Sequence, residues 1–204
     1  MTRTMGTHAT GRRERNKLQT RARLLEAARH LLNADDSAAT VEQIADRAEV
    51  SRATFFNYFP SKDDLMTALY GEHIEAFTAK VDEVLAIDMT TRDRILAIFT
   101  DFIRESTVLP RYMRAFTGEI ERISSSAPEV LAQRGNEFMH QIERVLVAGA
   151  EQNELRADYD IDFLCRMVAA IYLSSIRYWA QDPRFDLAQS FAEAGRFAAE
   201  SVTR

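Results

Sequence analysis

Apolar residues recur every three or four positions along the chain, and no stretch alternates apolar with polar for long enough to predict a strand, so an all-α fold is expected. From Gln19 to Leu32, the residues Leu24, Leu25, Ala28, Leu31 and Leu32 share a helical face that stops at the polar stretch NADDSAA. In TVEQIADRA, Thr40 and Gln43 fit a capping box ahead of a short apolar face made by Val41, Ile44, Ala45 and Ala48. Ser51 suits the N-cap of a third helix, which Pro60 limits to about two turns by biasing Phe59 out of helical geometry. Ser61 suits the cap of a fourth helix, from Lys62 to about Ala86. Further helices are expected near 91–107, 110–123, 127–153, 159–181 and 185–202, with Pro110 and Pro128 in first turns, where proline is tolerated.

The third helix lies in VSRATFFNYFP, and its polar residues are the informative ones. At 100° per residue, Phe55, Phe56 and Phe59 gather on one face while Ala53, Thr54, Asn57 and Tyr58 fall on the other. Two short helices joined tightly, the second presenting small and polar side chains, have the form of a helix-turn-helix that enters a DNA major groove. In that reading Arg52 reaches guanine, Asn57 reads an adenine edge, and Thr54 touches a base or a thymine methyl. Tyr58 and Lys62 suit phosphates, Thr40 suits the backbone from the second helix, and Arg21 suits it from the first. A two-helix turn with an ordinary solvated face fits the same wheel almost as well.

Charge moves the balance. The chain carries a net −5 at pH 7, but Met1–Lys62 holds 11 Lys and Arg against 7 Asp and Glu, and the remainder 15 against 24. In Met1–Arg23 seven basic residues face Glu14 alone, which reads either as a flexible basic arm beside a polyanion or as a solvated tail. A basic excess beside a helix-turn-helix favours DNA, because phosphate neutralisation supplies much of nucleic-acid affinity. The single cysteine, Cys165, excludes disulfides and cysteine-based zinc sites within one chain. No apolar run approaches the ~20 residues that cross a bilayer, and neither a signal-peptide core nor a metal-ligand spacing is present, so a cytoplasmic protein without metal or cofactor is expected.

TRARLLEAARHLL followed by TVEQIADRAEVSRATFFNYFPSKDDLMTAL resembles the DNA-binding domain of the TetR/AcrR family of bacterial transcriptional regulators, over about the first third of the chain. The resemblance implies operator contacts at Thr40, Ser51, Arg52, Ala53, Thr54, Asn57, Tyr58 and Lys62. The stretch NADDSAA lacks the glycine usual there, and Asn33, which tolerates a left-handed cap, is expected to stand in for it. The implied organisation is an arm at 1–18, a helix-turn-helix domain at 19–62, and a helical ligand-binding and dimerisation domain at 63–204.

Near the C-terminus, Ile161, Leu164, Cys165, Val168, Tyr172, Ile176 and Trp179 form one stripe, while Phe163, Met167, Ala170, Leu173 and Ser174 form a second. With Phe191, Gly195 and Ala198 of the last helix, Leu164 and Val168 are expected in a four-helix dimer interface; packing within their own domain is the alternative. Phe99, Phe102, Met113, Phe116, Phe138, Tyr172 and Trp179 are candidates to line an effector pocket, with Glu119, Arg177 and His140 as possible polar selectors; each also suits an ordinary core or surface role. The expectation is a homodimeric repressor released from a palindromic operator by a small lipophilic effector. An enzyme is the rival, but no glycine-rich phosphate loop, H-E-x-x-H or G-x-S-x-G occurs; a helical adaptor is the other.

Overall fold

The computed structural model describes residues 7–34, 39–182 and 184–204, and among them it contains nine α-helices and no strand. They are α1 (Thr7–Ala34), α2 (Val41–Arg47), α3 (Arg52–Tyr58), α4 (Lys62–Leu85), α5 (Thr91–Val108), α6 (Pro110–Ser126), α7 (Pro128–Glu151), α8 (Ile161–Gln181) and α9 (Leu187–Val202). Capping explains the boundaries. Thr40 and Gln43 close both bonds of the capping box, and the hydroxyls of Ser51, Ser61 and Thr90 accept from the backbone N–H groups of Thr54, Asp64 and Asp93. Pro110 and Pro128 occupy first turns, where no intrahelical donor is lost.

Two expectations for the first helix need correction. It begins at Thr7 rather than near Gln19, so the stretch read as an arm is helical from Thr7 onward; residues 1–6 lie outside the described ones. The segment has good helix formers but residues 14–18 bury nothing, so periodicity could not reveal them. Asn33 is not a left-handed cap: it lies within α1, and its side-chain oxygen accepts from the Tyr112 backbone N–H at 3.3 Å. Residues 35–38 of the following connection are outside the described ones. Among the described residues of the head, the left-handed one is Glu49 (φ 55°), which turns the chain between α2 and α3.

One apolar core runs through the molecule. In the head, Leu24, Leu25, Ala28 and Leu32 of α1 pack with Ile44, Ala45, Phe55, Phe59 and Leu65. The head is not free of the body: α1 packs against α6, and α4 continues from the head to pack along α7. At the far side α9 lies on α5 and α8, and an antiparallel bridge between Leu155 and Thr203 pins the C-terminus to the α7–α8 connection. Among the described residues, no helix is long and apolar enough to cross a membrane.

Candidate DNA-reading face and effector cavity

Helix α3 is anchored by Phe55, fully buried, and by Phe59 just past its end, their rings 6.0 Å apart. Phe56 departs from the wheel: it is 40% exposed, edge-on to Phe55 at 5.4 Å. The helix ends at Tyr58 and Phe59 turns to extended geometry yet still packs on Phe55, so of the face expected from 55, 56 and 59 only Phe56 is left outside. Ser51, Arg52, Ala53 and Asn57 are exposed, and Thr54 and Tyr58 are half-buried. The Ser51 hydroxyl is already engaged as the N-cap and lies 2.8 Å from the Thr54 hydroxyl. Arg52 pairs with Glu42 at 3.2 Å and extends over the Phe56 ring, but both charged side chains are more than half exposed, so water competes and the arginine can leave at little cost. The Arg21 guanidinium lies over Phe59 at 5.4 Å, beside the end of α3.

Lys62 is placed differently from its neighbours. Its ammonium donates to Glu119 of α6 at 2.7 Å, with the two side chains 22% and 10% exposed. Arg122 also donates to Glu119 at 2.9 Å and reaches across to Asp63. Burial pushes the Glu119 carboxyl up, but the hydrogen bonds from Lys62 and Arg122 outweigh it and hold the group below the ordinary carboxylate range. Glu119 is therefore a structural clamp between α4 and α6 and not a group on the cavity wall.

The cavity lies in the body and has a volume of about 620 Å³. Five of the seven aromatic and methionine residues expected there line it, namely Phe102, Met113, Phe116, Phe138 and Tyr172. Tyr172 is central, with its ring centroid 5.8 Å from Phe102 and 5.6 Å from Phe138. Phe99 and Trp179 do not line it. Phe99 is core between Tyr172 and Phe191, at 5.0 and 5.9 Å, and Trp179 is buried beneath the Arg114 guanidinium at 4.5 Å. Of the polar candidates, Arg177 is on the wall, paired with Glu121 at 2.9 Å, whereas His140 is exposed beside Glu143. The contribution of α4 was missed: Tyr70, His73, Ile74 and Phe77 all line the cavity, and their 70, 74, 77 spacing is the signal that was available.

His73 closes one end. Its Nε2 is 2.9 Å from the Tyr112 hydroxyl and its ring 4.6 Å from Phe116. Burial and then the Arg29 charge push its pKa down to about 4, so the imidazole is neutral at pH 7. A second cavity of about 360 Å³ adjoins this end, lined by Arg29 of α1 together with His73, Glu105, Tyr112 and Met113. No cluster of His, Cys, Asp and Glu suited to a metal occurs among the described residues.

The residues expected at the dimer interface need correction. Leu164, Val168, Phe191, Gly195 and Ala198 are all buried within their own chain, and a side chain on Gly195 would press on Phe99 of α5 at 3.0 Å. The second stripe of α8 is the one left outside: Phe163 and Met167 are each 37% exposed and Leu173 47%, with Phe197 of α9 at 65%. A wheel identifies two apolar faces but not which one the chain's own helices cover.

A helix-turn-helix head joined through α1 and α4 to a helical body with an internal cavity defines a transcriptional regulator of the one-chain, head-and-sensor kind. Residues 24–69 match the family model described as "Bacterial regulatory proteins, tetR family". The chain is 28% identical over 187 residues to the HTH-type transcriptional activator FasR of Mycolicibacterium smegmatis, covering 86% of this chain and 80% of that one. Its fold is similar to that of Thermus thermophilus FadR, a TetR family repressor solved with lauroyl-CoA (TM-score 0.70, 23% identity, 87% and 92% of the two chains). It is also similar to FadR of Bacillus subtilis solved with stearoyl-CoA (TM-score 0.69, 16% identity, 89% and 97%). The head of the chain is thus that of the TetR family of bacterial regulatory proteins, and the fold of the whole chain is similar to that of TetR-family regulators.

Proposed function

We propose that this regulator is a homodimeric repressor that occupies a palindromic operator and leaves it when a lipophilic effector enters the α4–α8 cavity. The observation that carries the reading is the position of α6: one face lines the cavity through Met113, Phe116 and Thr117, while Glu119 and Arg122 grip the start of α4 directly after the recognition helix. An effector that binds better when α6 is displaced must shift the head away from its DNA-competent pose, and by no more than that difference in affinity. Arg52 and Asn57 read bases, Thr40, Ser51, Ala53, Thr54 and Tyr58 support the approach to DNA, and Arg21 approaches the backbone. Lys62 reaches phosphate only if its bond to Glu119 opens.

The acyl-CoA esters named for two structural neighbours support an elongated apolar portion in the effector, and the aromatic wall can receive one. Those neighbours include a repressor and the sequence relative is an activator, so the sign of regulation follows from which state the effector prefers. The test is to select bound duplexes from a random DNA pool and follow the recovered site by fluorescence anisotropy while titrating lipophilic compounds. A two-fold symmetric site is expected. Gly135 lines the cavity with open space where a side chain would go, so Gly135→Phe should narrow it and weaken release without loss of DNA binding. Release undiminished in that variant would move the effector site elsewhere.

A further inference from the structure

Six charged side chains line the main cavity and the one adjoining it, and three of them are basic. Each arginine is already matched: Arg104 to Asp101 at 2.6 Å, Arg177 to Glu121 at 2.9 Å, and Arg29 to Glu26 at 3.1 Å and to Glu72. Glu105 is left over. It lies on the wall common to both cavities and takes part in no hydrogen bond or ion pair, although Asp101 and Arg104 act on it at longer range. Arg104 is its neighbour in sequence, and adjacent residues on a helix point apart, so Arg104 pairs with Asp101 three positions back instead. His73, across the same wall, is neutral at pH 7 and supplies no positive charge. The cavity that this lone carboxylate lines is walled by the aromatic rings of Phe102, Phe116, Phe138 and Tyr172.

Aromatic faces carry partial negative charge and attract a cation that has left water, and a carboxylate without a partner adds a full charge to that attraction. An anionic head group would meet the opposite: an unpaired negative charge on the wall, with arginines that Asp101, Glu121, Glu26 and Glu72 already compete for. We propose that the cavity is built for a lipophilic cation, an alkyl amine or quaternary ammonium whose nitrogen is received by Glu105 and whose apolar part fills the aromatic chamber. The inference rests on the reading of this cavity as the effector site and specifies the chemical class of the effector. Burial, and after it the Asp101 charge, raises the Glu105 pKa, as expected of a carboxylate lacking its counter-ion.

The experiment uses the full-length chain and one alkyl length. Decyltrimethylammonium, 1-decanol, decanoate and decanoyl-CoA are titrated below their micellar concentrations into the native protein, Glu105→Gln and Asp101→Asn, with calorimetry for binding and anisotropy for operator release. The ammonium should bind on the order of tenfold more tightly than the alcohol, and Glu105→Gln should remove that advantage while leaving the alcohol unchanged, which also reports an intact cavity. Asp101→Asn, which alters a carboxylate that already has a partner, should retain most of the preference. Equal affinities for ammonium and alcohol, an ammonium affinity indifferent to Glu105→Gln, or a native preference for decanoate or decanoyl-CoA would each overturn the proposal. Glu105-dependent cation binding that leaves the operator bound would support the ligand class and sink the effector reading; release by the alcohol or decanoyl-CoA with no role for Glu105 would do the reverse.

Discussion

Arg52 and Lys62 carry the same charge, stand ten positions apart around the recognition helix, and have different fates in the fold. Arg52 is 66% exposed and held only by a surface pair with Glu42, so it is available to a base edge. Arg52→Ala should change the preferred base at one position of the selected site, at a cost of about 1–3 kcal/mol against the native preference; a uniform loss over all sequences would reassign it to phosphate. The sequence reveals such residues by type and helical position, but it cannot reveal that Lys62 spends its charge on a glutamate 57 positions away. His73 shows the same limit, because only its burial against Tyr112 and Phe116 makes it unusual. With a folded pKa of about 4, it takes up a proton more readily in the unfolded chain, whose ordinary value is 6.5. Its contribution to stability is therefore intact above about pH 6.5 and is lost as pH falls towards 4, by at most ~3 kcal/mol. Urea midpoints measured from pH 7.5 to 4 should fall less steeply in His73→Gln, which keeps a partner for the Tyr112 hydroxyl, than in the native protein. Equal slopes would mean that the folded chain accepts the proton.

At the scale of elements, most helix boundaries were legible because caps and prolines are local: Thr40, Ser51, Ser61, Pro110 and Pro128 all start helices where their chemistry requires. Local signals fail where a helix has no buried face, as at the start of α1, and where pairing is remote, as between α4 and α6. That second contact joins the head to the sensor. Glu119→Gln would leave the largely buried Lys62 ammonium without its carboxylate, and Lys62→Met would leave Glu119 with Arg122 alone. A double-mutant cycle on the two should return a coupling of about 1–3 kcal/mol in urea unfolding. Both single variants should also shift the effector concentration needed for operator release, if α6 passes the signal through this pair. A coupling near zero, with release unchanged, would leave the clamp an incidental surface contact and transfer the coupling to the α1–α6 contact, where Tyr112 donates to Asn33.

For the whole molecule, the decisive surface is the outer stripe of α8 with Phe197 of α9. Phe163, Met167, Leu173 and Phe197 are large and exposed on two helices that pack on each other, and a second copy docked there is expected to cover them. Geometry on DNA gives the association its purpose, since one head spans one half-site and two heads about 34 Å apart read both halves from one face of the duplex. The native chain should therefore sediment at twice its 23.3 kDa mass. Met167→Arg with Phe197→Arg places like charges across a two-fold axis and should yield a folded monomer, because neither side chain belongs to the chain's own core. That monomer should bind the palindromic site at least ~100-fold more weakly, having lost the gain from tethering two heads, while keeping the affinity of a single head for a half-site. Leu164→Ala and Phe191→Ala should instead lower thermal stability, since both side chains lie inside the chain. If the double arginine variant remained dimeric and fully active, the copies would have to meet through another face, and the spacing of the recognition helices would follow from that face instead.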